Sequence, residues 1–250
     1  MSATSEEWRP PLSFEEKLKS IFVPPSLYIW YKVKKELNKG EEEIKLLPFL
    51  VPADRIAIDV GANKGVWSYM LAKQCREVHA FEPNPKMFDV LKQCAGDKIK
   101  THQIALSNES KKAELLVPLS SKGYSNQGAS LSSVKVSGDH KSVSVVACRL
   151  DDMDLGDIGF IKIDVEGFEL EVLEGARETL ARCRPNLIIE MEEKHTKRPL
   201  LELIETVCGY GYEAFALNGG VLTKFELAHA SDHKDHFGKY LFNFIFLPKD

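Results

Sequence analysis

Short apolar runs rich in Ile and Val recur along the chain, at residues 55–60 (RIAIDV), 77–82 (EVHAFE), 160–165 (FIKIDV) and 187–190. Nearly continuous runs of this length are the pattern of strands whose two faces are both covered by helices, as in a parallel sheet. Between them the period changes to that of a helix, over residues 66–73, 85–94, 168–180 and 200–208. In the third of these, Phe168, Val172, Leu173, Ala176 and Leu180 fall on one side, and Glu169, Glu171, Glu174, Arg177 and Glu178 on the other. That segment is predicted to be one helix with its apolar stripe on the sheet. A further strand at 100–106 completes a β-α-β-α-β half, and the alternation from 160 onward supplies a second. The prediction is therefore an α/β three-layer sandwich, Rossmann-like and mostly parallel.

Three regions depart from this alternation. Strands are expected at 111–117 and 142–149, and the Gly/Ser-rich stretch between them, residues 120–138, reads as a mobile loop. Residues 213–217 and 240–247 (YLFNFIFL) read as closing strands, the last too apolar for an uncovered edge. At the start, Ser13 with Glu16 forms a capping box, and a second helix runs from Pro25 to a stop at Asn38-Lys39-Gly40. Residues 1–50 are thus expected to be an N-terminal helical extension of a domain spanning 51–250. Residues 21–33 (IFVPPSLYIWYKV) lead into Lys34 and Lys35, a composition suited either to a helix packed on the domain or to a weak peripheral contact with a membrane surface.

Composition narrows the class. With 44% hydrophobic and 28% charged residues the chain can bury a core, and a net charge of −4 gives no global attraction to nucleic acid. Five scattered cysteines without a C-x-x-C pair suggest neither a disulfide framework nor a thiolate zinc site, which fits a reducing compartment. The first residues lack a basic-then-apolar leader, and no apolar run is long enough to span a bilayer. A cytoplasmic protein without an integral membrane segment is the expectation.

In open α/β sheets ligands gather at the carboxyl ends of strands, so the residues following each strand carry the chemistry. After the first comes Asp59-Val60-Gly61-Ala62-Asn63-Lys64-Gly65, where Gly61 and Gly65 allow a tight turn and close approach to a ligand. Glu82 ends the next strand, near the offset at which an acidic residue grips ribose hydroxyls. The loop lacks both G-x-G-x-x-G and G-K-[ST] spacing, which lowers dinucleotides and ATP. Asp59 beside the glycines repels a pyrophosphate and suits the ammonium and sulfonium of S-adenosylmethionine.

These segments, together with Ala105-Leu106-Ser107-Asn108 and Ile161-Lys162-Ile163-Asp164-Val165-Glu166-Gly167-Phe168-Glu169, resemble the FkbM family of methyltransferases over about residues 50 to 248. The resemblance implies the class I methyltransferase sheet with an antiparallel final strand, and O-methylation of hydroxyls on sugars or polyketide-type products. It also implies that Asp59, Gly61 and Asn63 line the methionine end of the cofactor, Glu82 the ribose, and Ser107 and Asn108 the adenine side.

Methyl transfer to an alcohol benefits from a base, or from a metal that acidifies the hydroxyl. Lys162, Asp164, Glu166, Glu190, Glu192 and His195 are the candidates. Lys162 and Asp164 sit two apart on one strand and share a face, and Glu190 ends its neighbour. Asp164 and Glu190 are thus a candidate pair for a divalent cation, or one of them for the base, and an ordering ion pair with Lys162 is the alternative. His195 is a second candidate base. His229, Asp232, His233, Asp235 and His236 form a polar cluster that reads first as a solvated loop. An amine acceptor, or a cofactor-binding module without transfer activity, are the alternative functions, and the acceptor is expected to be a small molecule such as a glycan or metabolite hydroxyl.

Overall fold

The structure, a computed structural model, describes residues 8–120, 123–126, 128–132, 138–225, 233–235 and 238–249. The N-terminal helices are α1 (Phe14–Phe22) and α2 (Pro25–Lys39), followed by a 3-10 turn and the short α3 (Leu47–Leu50). Ser13 caps α1 through the expected box: Glu16 N–H donates to its Oγ, and Glu16 Oε2 accepts from the Ser13 N–H. Ile44, Leu47 and Leu50 enter the same apolar cluster as Ala57 and Val78, and Asn186 donates to the Leu50 carbonyl, so this end of the helical segment is packed into the domain core.

The first half continues with β1 (Ile56–Val60), α4 (Val66–Leu71), β2 (Glu77–Phe81), α5 (Pro85–Cys94), β3 (Ile99–His102) and β4 (Ala105–Leu106). Then come β5 (Lys111–Ser120), β6 (Gly123–Tyr124), β7 (His140–Cys148) and β8 (Ile158–Ile163). The second half holds α6 (Glu169–Glu174), α7 (Arg177–Cys183), β9 (Asn186–Glu190), α8 (Glu193–Thr196), α9 (Leu200–Gly209), β10 (Tyr212–Asn218), β11 (Val221–Lys224) and β12 (Asn243–Pro248). The main sheet has the order β11-β10-β12-β9-β8-β1-β2-β3. Pairing is parallel from β9 across to β3, and β12 runs antiparallel between β9 and β10.

That arrangement explains the apolar composition of the last strand. Lying between two neighbours, Phe244, Ile245 and Phe246 are fully buried, and no edge needs protecting. Chain order reverses between β1 and β8, which places the topological switch point at the ends of Val60 and Ile163.

Three expectations need correction. The strand expected over 100–106 is split, with β3 in the main sheet and β4 crossing to a second sheet of order β4-β7-β5-β6. The helix expected over 168–180 is broken at Gly175: a Cβ there would lie 1.9 Å from the Ser107 carbonyl oxygen, so two backbones meet where continuous helical packing would not fit. The stretch read as a mobile loop is anchored where it is described. Ser130 and Leu116 exchange backbone hydrogen bonds, Ser130 is buried, and its Oγ donates to the Glu166 carbonyl at 2.9 Å.

Candidate active site

Both turns at the switch point are shaped by backbone that few residues tolerate. Gly61 has φ +80, and a Cβ on it would stand 1.8 Å from the Asp164 carbonyl oxygen, so only glycine lets the ends of β1 and β8 approach this closely. Asn63 (φ +50) continues the turn, and Gly65 (φ +85) leads into α4. Opposite, Glu166 (φ +60) and Gly167 (φ +97) reverse the chain after β8. This second turn is fastened from within, because the Glu169 carboxylate accepts from the Gly167 N–H at 2.8 Å. Burial pushes the Glu169 pKa up to about 7.

Between the turns lies a cleft of about 170 Å³. Gly61, Asn63, Glu82 and Asp164 line it, as do Val165, Glu166 and Phe168 of the second turn. Phe81, Ile104 and Leu106 supply an apolar wall, and Asn126, Ser130 and Leu131 reach it from the strand-connecting segment. Composition hid these last three within a Gly/Ser-rich stretch; the signal for them is positional, in the strands β5 and β7 that hold the stretch at both ends.

Glu82 is the charged centre of this cleft. Its carboxylate accepts from the Asn63 N–H at 2.7 Å and from the Asn84 N–H at 2.8 Å, one on each oxygen. Burial, only partly offset by these two bonds, pushes its pKa up to about 7. Two anchored oxygens, each with a remaining lone pair, form a rigid acceptor for a pair of vicinal hydroxyls.

Other expected residues sit elsewhere. Asp59 does not line the cleft: it is buried on the face of β1 that carries Ala57, and it accepts a short hydrogen bond from Ser68 Oγ of α4. Burial raises its pKa to about 6. Strand alternation explains the placement, since Asp59 and the cleft-facing Val60 point to opposite faces of the sheet. Gly65 also lies outside the lining, its space bounded by Leu91. Ser107 and Asn108 turn toward the end of α6, where Asn108 Nδ2 donates to Glu174 at 2.9 Å, while Ile104, Ala105 and Leu106 just before them line the cleft.

The candidate catalytic groups form a connected acidic cluster beside the cleft. Lys162 is buried, donates to Asn243 Oδ1 at 3.2 Å and lies 5.1 Å over the Trp67 ring. Burial alone would lower its pKa, but attraction from Asp164, Glu41, Glu190 and Asp59 wins and the net displacement is upward. Glu190 is raised above the usual carboxylate range, first by burial and then by the negative charge of neighbouring Asp164. Next to it, His195 Nδ1 lies 3.3 Å from Glu166 Oε2 and His195 Nε2 3.8 Å from Glu192 Oε1. Glu192 also pairs with Lys194 at 2.6 Å.

The expected cation pair of Asp164 and Glu190 is faced by the buried Lys162 ammonium. Among the described residues, the donor atoms that do converge, within 4.8 Å, belong to Glu190, Glu192 and His195. Of these, Glu192 pairs with Lys194, and His195 lies between Glu166 and Glu192. Of the histidine-rich segment, His229, Asp232 and His236 lie outside the described residues. His233 is buried, stacks on Tyr240 and has Nδ1 2.8 Å from the Leu241 carbonyl.

A seven-stranded parallel-to-antiparallel progression, β3-β2-β1-β8-β9-β12-β10, with a cleft at the switch point, is the class I methyltransferase fold. A family model described as the methyltransferase FkbM domain matches residues 59–214, and the chain belongs to that family. Among curated relatives it is 30% identical to methyltransferase sdnD of Sordaria araneosa, over 62% of this chain and 73% of that protein. It is 28% identical to hexuronic acid methyltransferase AglP of Haloferax volcanii (58% and 60%) and 23% identical to 2-O-methyltransferase NoeI of Sinorhizobium fredii (61% and 70%). The crystal structure of methyltransferase FkbM from Methylobacillus flagellatus KT superposes with a TM-score of 0.53 at 17% identity, covering 89% of this chain and 54% of that one. The chain therefore spans about half the length of that solved relative.

Proposed function

We propose that this methyltransferase moves the methyl group of S-adenosylmethionine to a hydroxyl of a sugar or other small metabolite. The observation that carries the reading is Glu82: a buried carboxylate with both oxygens pre-oriented, facing a cleft that begins at a glycine turn. In this reading Glu82 accepts from the two ribose hydroxyls, Gly61 and Asn63 border the methionine end, and Phe81, Ile104 and Leu106 flank the adenine. Asp59 acts at one remove, holding the glycine turn to α4 through Ser68.

The sulfonium provides its own leaving group, so the protein's task is to place the acceptor oxygen in line with methyl carbon and sulfur and to take its proton. His195 suits the second role. It takes the proton by way of Glu166, which lines the cleft 3.3 Å from His195 Nδ1, and the protonated ring is then stabilised by Glu166 and Glu192. Glu166 lines the cleft and links that histidine to the acceptor side. Lys162 and the Asp164–Glu190 pair fix the end of β8 from which Asp164 reaches the cleft wall. The names of the Haloferax and Sinorhizobium relatives, with a hexuronic acid and a 2-O position, support a glycan hydroxyl as acceptor.

The test is calorimetric titration of S-adenosylhomocysteine into the full chain, followed by a screen of sugar hydroxyl acceptors with labelled S-adenosylmethionine. Saturable binding that Glu82→Ala weakens, and label transferred to a hydroxyl, are expected. Binding without transfer to any hydroxyl, or label found on an amine, overturns the acceptor assignment.

A further inference from the structure

We propose that the outer face of the two N-terminal helices docks on an anionic lipid surface. The argument begins with the way α1 is turned. Its polar residues Glu16, Lys19 and Ser20, with Val23 after it, wall a cavity of about 270 Å³ shared with Tyr28 and with Lys86 of α5. These positions follow helical spacing, so they mark the side facing the protein, and Glu16 is held there by Lys86 at 2.8 Å. The opposite side carries Phe14, Leu18, Ile21 and Phe22, of which Phe14, Ile21 and Phe22 are 78%, 72% and 75% exposed. No residue of α1 is buried. An amphipathic helix on a domain normally turns its apolar side inward; this one has the reverse orientation.

The second helix continues the pattern. Ile29 and Val33 are buried against the domain, while Leu27, Trp30 and Tyr31 are more than half exposed on the far side. Lys34 lies over the Trp30 ring at 5.1 Å, putting a cation and an interfacial aromatic side by side.

Charge selects the occupant. Residues 8–40 hold seven basic side chains (Arg9, Lys17, Lys19, Lys32, Lys34, Lys35 and Lys39) against three acidic ones (Glu15, Glu16 and Glu36), in a chain whose net charge is −4. The exposed apolar groups are thus framed by lysines on an otherwise acidic protein. Aromatic and aliphatic side chains that enter the headgroup boundary, ringed by lysines that meet anionic headgroups, supply the two signals that stable peripheral binding requires. A second copy of the chain would set like-charged rims against each other. The same α1 walls the cavity that reaches Lys64 in the glycine turn, so the lipid-facing side lies about one helix diameter, roughly 10 Å, from the turn that borders the cleft.

The test is co-sedimentation of the full chain with vesicles of phosphatidylcholine alone and of phosphatidylcholine mixed with phosphatidylglycerol. Binding to the mixed vesicles alone is expected, weakening as salt rises from about 0.1 to about 0.5 M. The double variant Ile21→Ser/Phe22→Ser should bind roughly tenfold more weakly, and Lys17→Glu/Lys34→Glu should lose the preference for the anionic lipid. All of these positions are exposed, so the thermal midpoint in solution should stay unchanged. Brominated acyl chains should quench part of the tryptophan emission, and Trp30→Phe should remove that part. The proposal is overturned if the chain does not bind the mixed vesicles, binds both compositions equally, or binds unchanged in the Ile21/Phe22 variant. It is also overturned if sedimentation shows a dimer that Phe22→Ser dissolves, which would make a second copy the occupant.

Discussion

Glu82 concentrates the cofactor reading in one side chain, and its environment makes that reading testable. Replacement by alanine removes an anionic acceptor and leaves the Asn63 and Asn84 N–H groups without partners, so affinity for S-adenosylhomocysteine should fall by about 1.5–3 kcal/mol, the scale of lost charged hydrogen bonds. With its pKa pushed up to about 7, the group is partly protonated at neutral pH, and only the ionised form offers both oxygens to a diol. Affinity should therefore weaken as pH falls from about 8 to about 6, and Glu82→Gln should flatten that dependence. His195 gives the complementary result. It does not line the cleft, so His195→Gln should leave cofactor affinity unchanged while lowering kcat by about 10²-fold. Equal loss of affinity and rate in that variant would make His195 a packing residue. Glu82 was legible in the sequence because strand end and offset locate it without knowledge of packing. For Asp59 the motif gave the position in the chain but not the sheet face on which its side chain falls, beside Ser68.

Individual elements were legible to the degree that their signals are local. Helix α5, with Pro85 at its start, and α1, with its Ser13 box, match the sequence reading because caps lie within the elements they end. The break between α6 and α7 could not be read, since Gly175 is small for the sake of Ser107, a residue far away in the chain just after β4. The same holds for β4, whose partner β7 begins tens of residues later. Gly175 provides a clean test because its φ of −73 is open to any residue and the conflict is purely steric. Gly175→Ala should destabilise the fold by about 1–3 kcal/mol, as overpacking does, read from the urea midpoint with an unchanged slope. Gly61→Ala meets both steric and conformational obstacles, at φ +80 and 1.8 Å from the Asp164 carbonyl, and should be at least as costly and should also abolish cofactor binding. If Gly61→Ala binds S-adenosylhomocysteine normally, the two strand ends are not the cofactor's seat.

The molecule as a whole carries an excess of buried carboxyl groups, and this sets how its stability responds to pH. Asp59 rises from 3.8 to about 6, and Glu82 and Glu169 from 4.5 to about 7, in each case first because of burial; Glu190 is raised as well. For a carboxyl whose pKa is higher in the folded state, the folded chain holds more protons between the two values. Its stabilising contribution is complete below the unfolded pKa and is lost as pH rises through the folded one. Glu192 and Glu16, whose pKa values are lowered, act in the opposite sense, but only below their ordinary value of 4.5. His102, lowered by burial and by the neighbouring His79, also opposes the trend near neutrality, as a single group against six raised carboxyls, Glu41 and Glu43 included. The unliganded protein should accordingly be most stable near pH 5 and lose thermal midpoint steadily toward pH 8, with Glu82 alone contributing on the order of 3 kcal/mol across that window. Glu82→Gln should be less stable at pH 5 than its effect at pH 8 suggests, because the substitution removes the group that gains from acid. Melting curves of the wild type and Glu82→Gln from pH 5 to 8 distinguish the cases: a wild-type midpoint that rises with pH, or a variant slope equal to the wild-type slope, would show that Glu82 is hydrated and ionised in the empty protein.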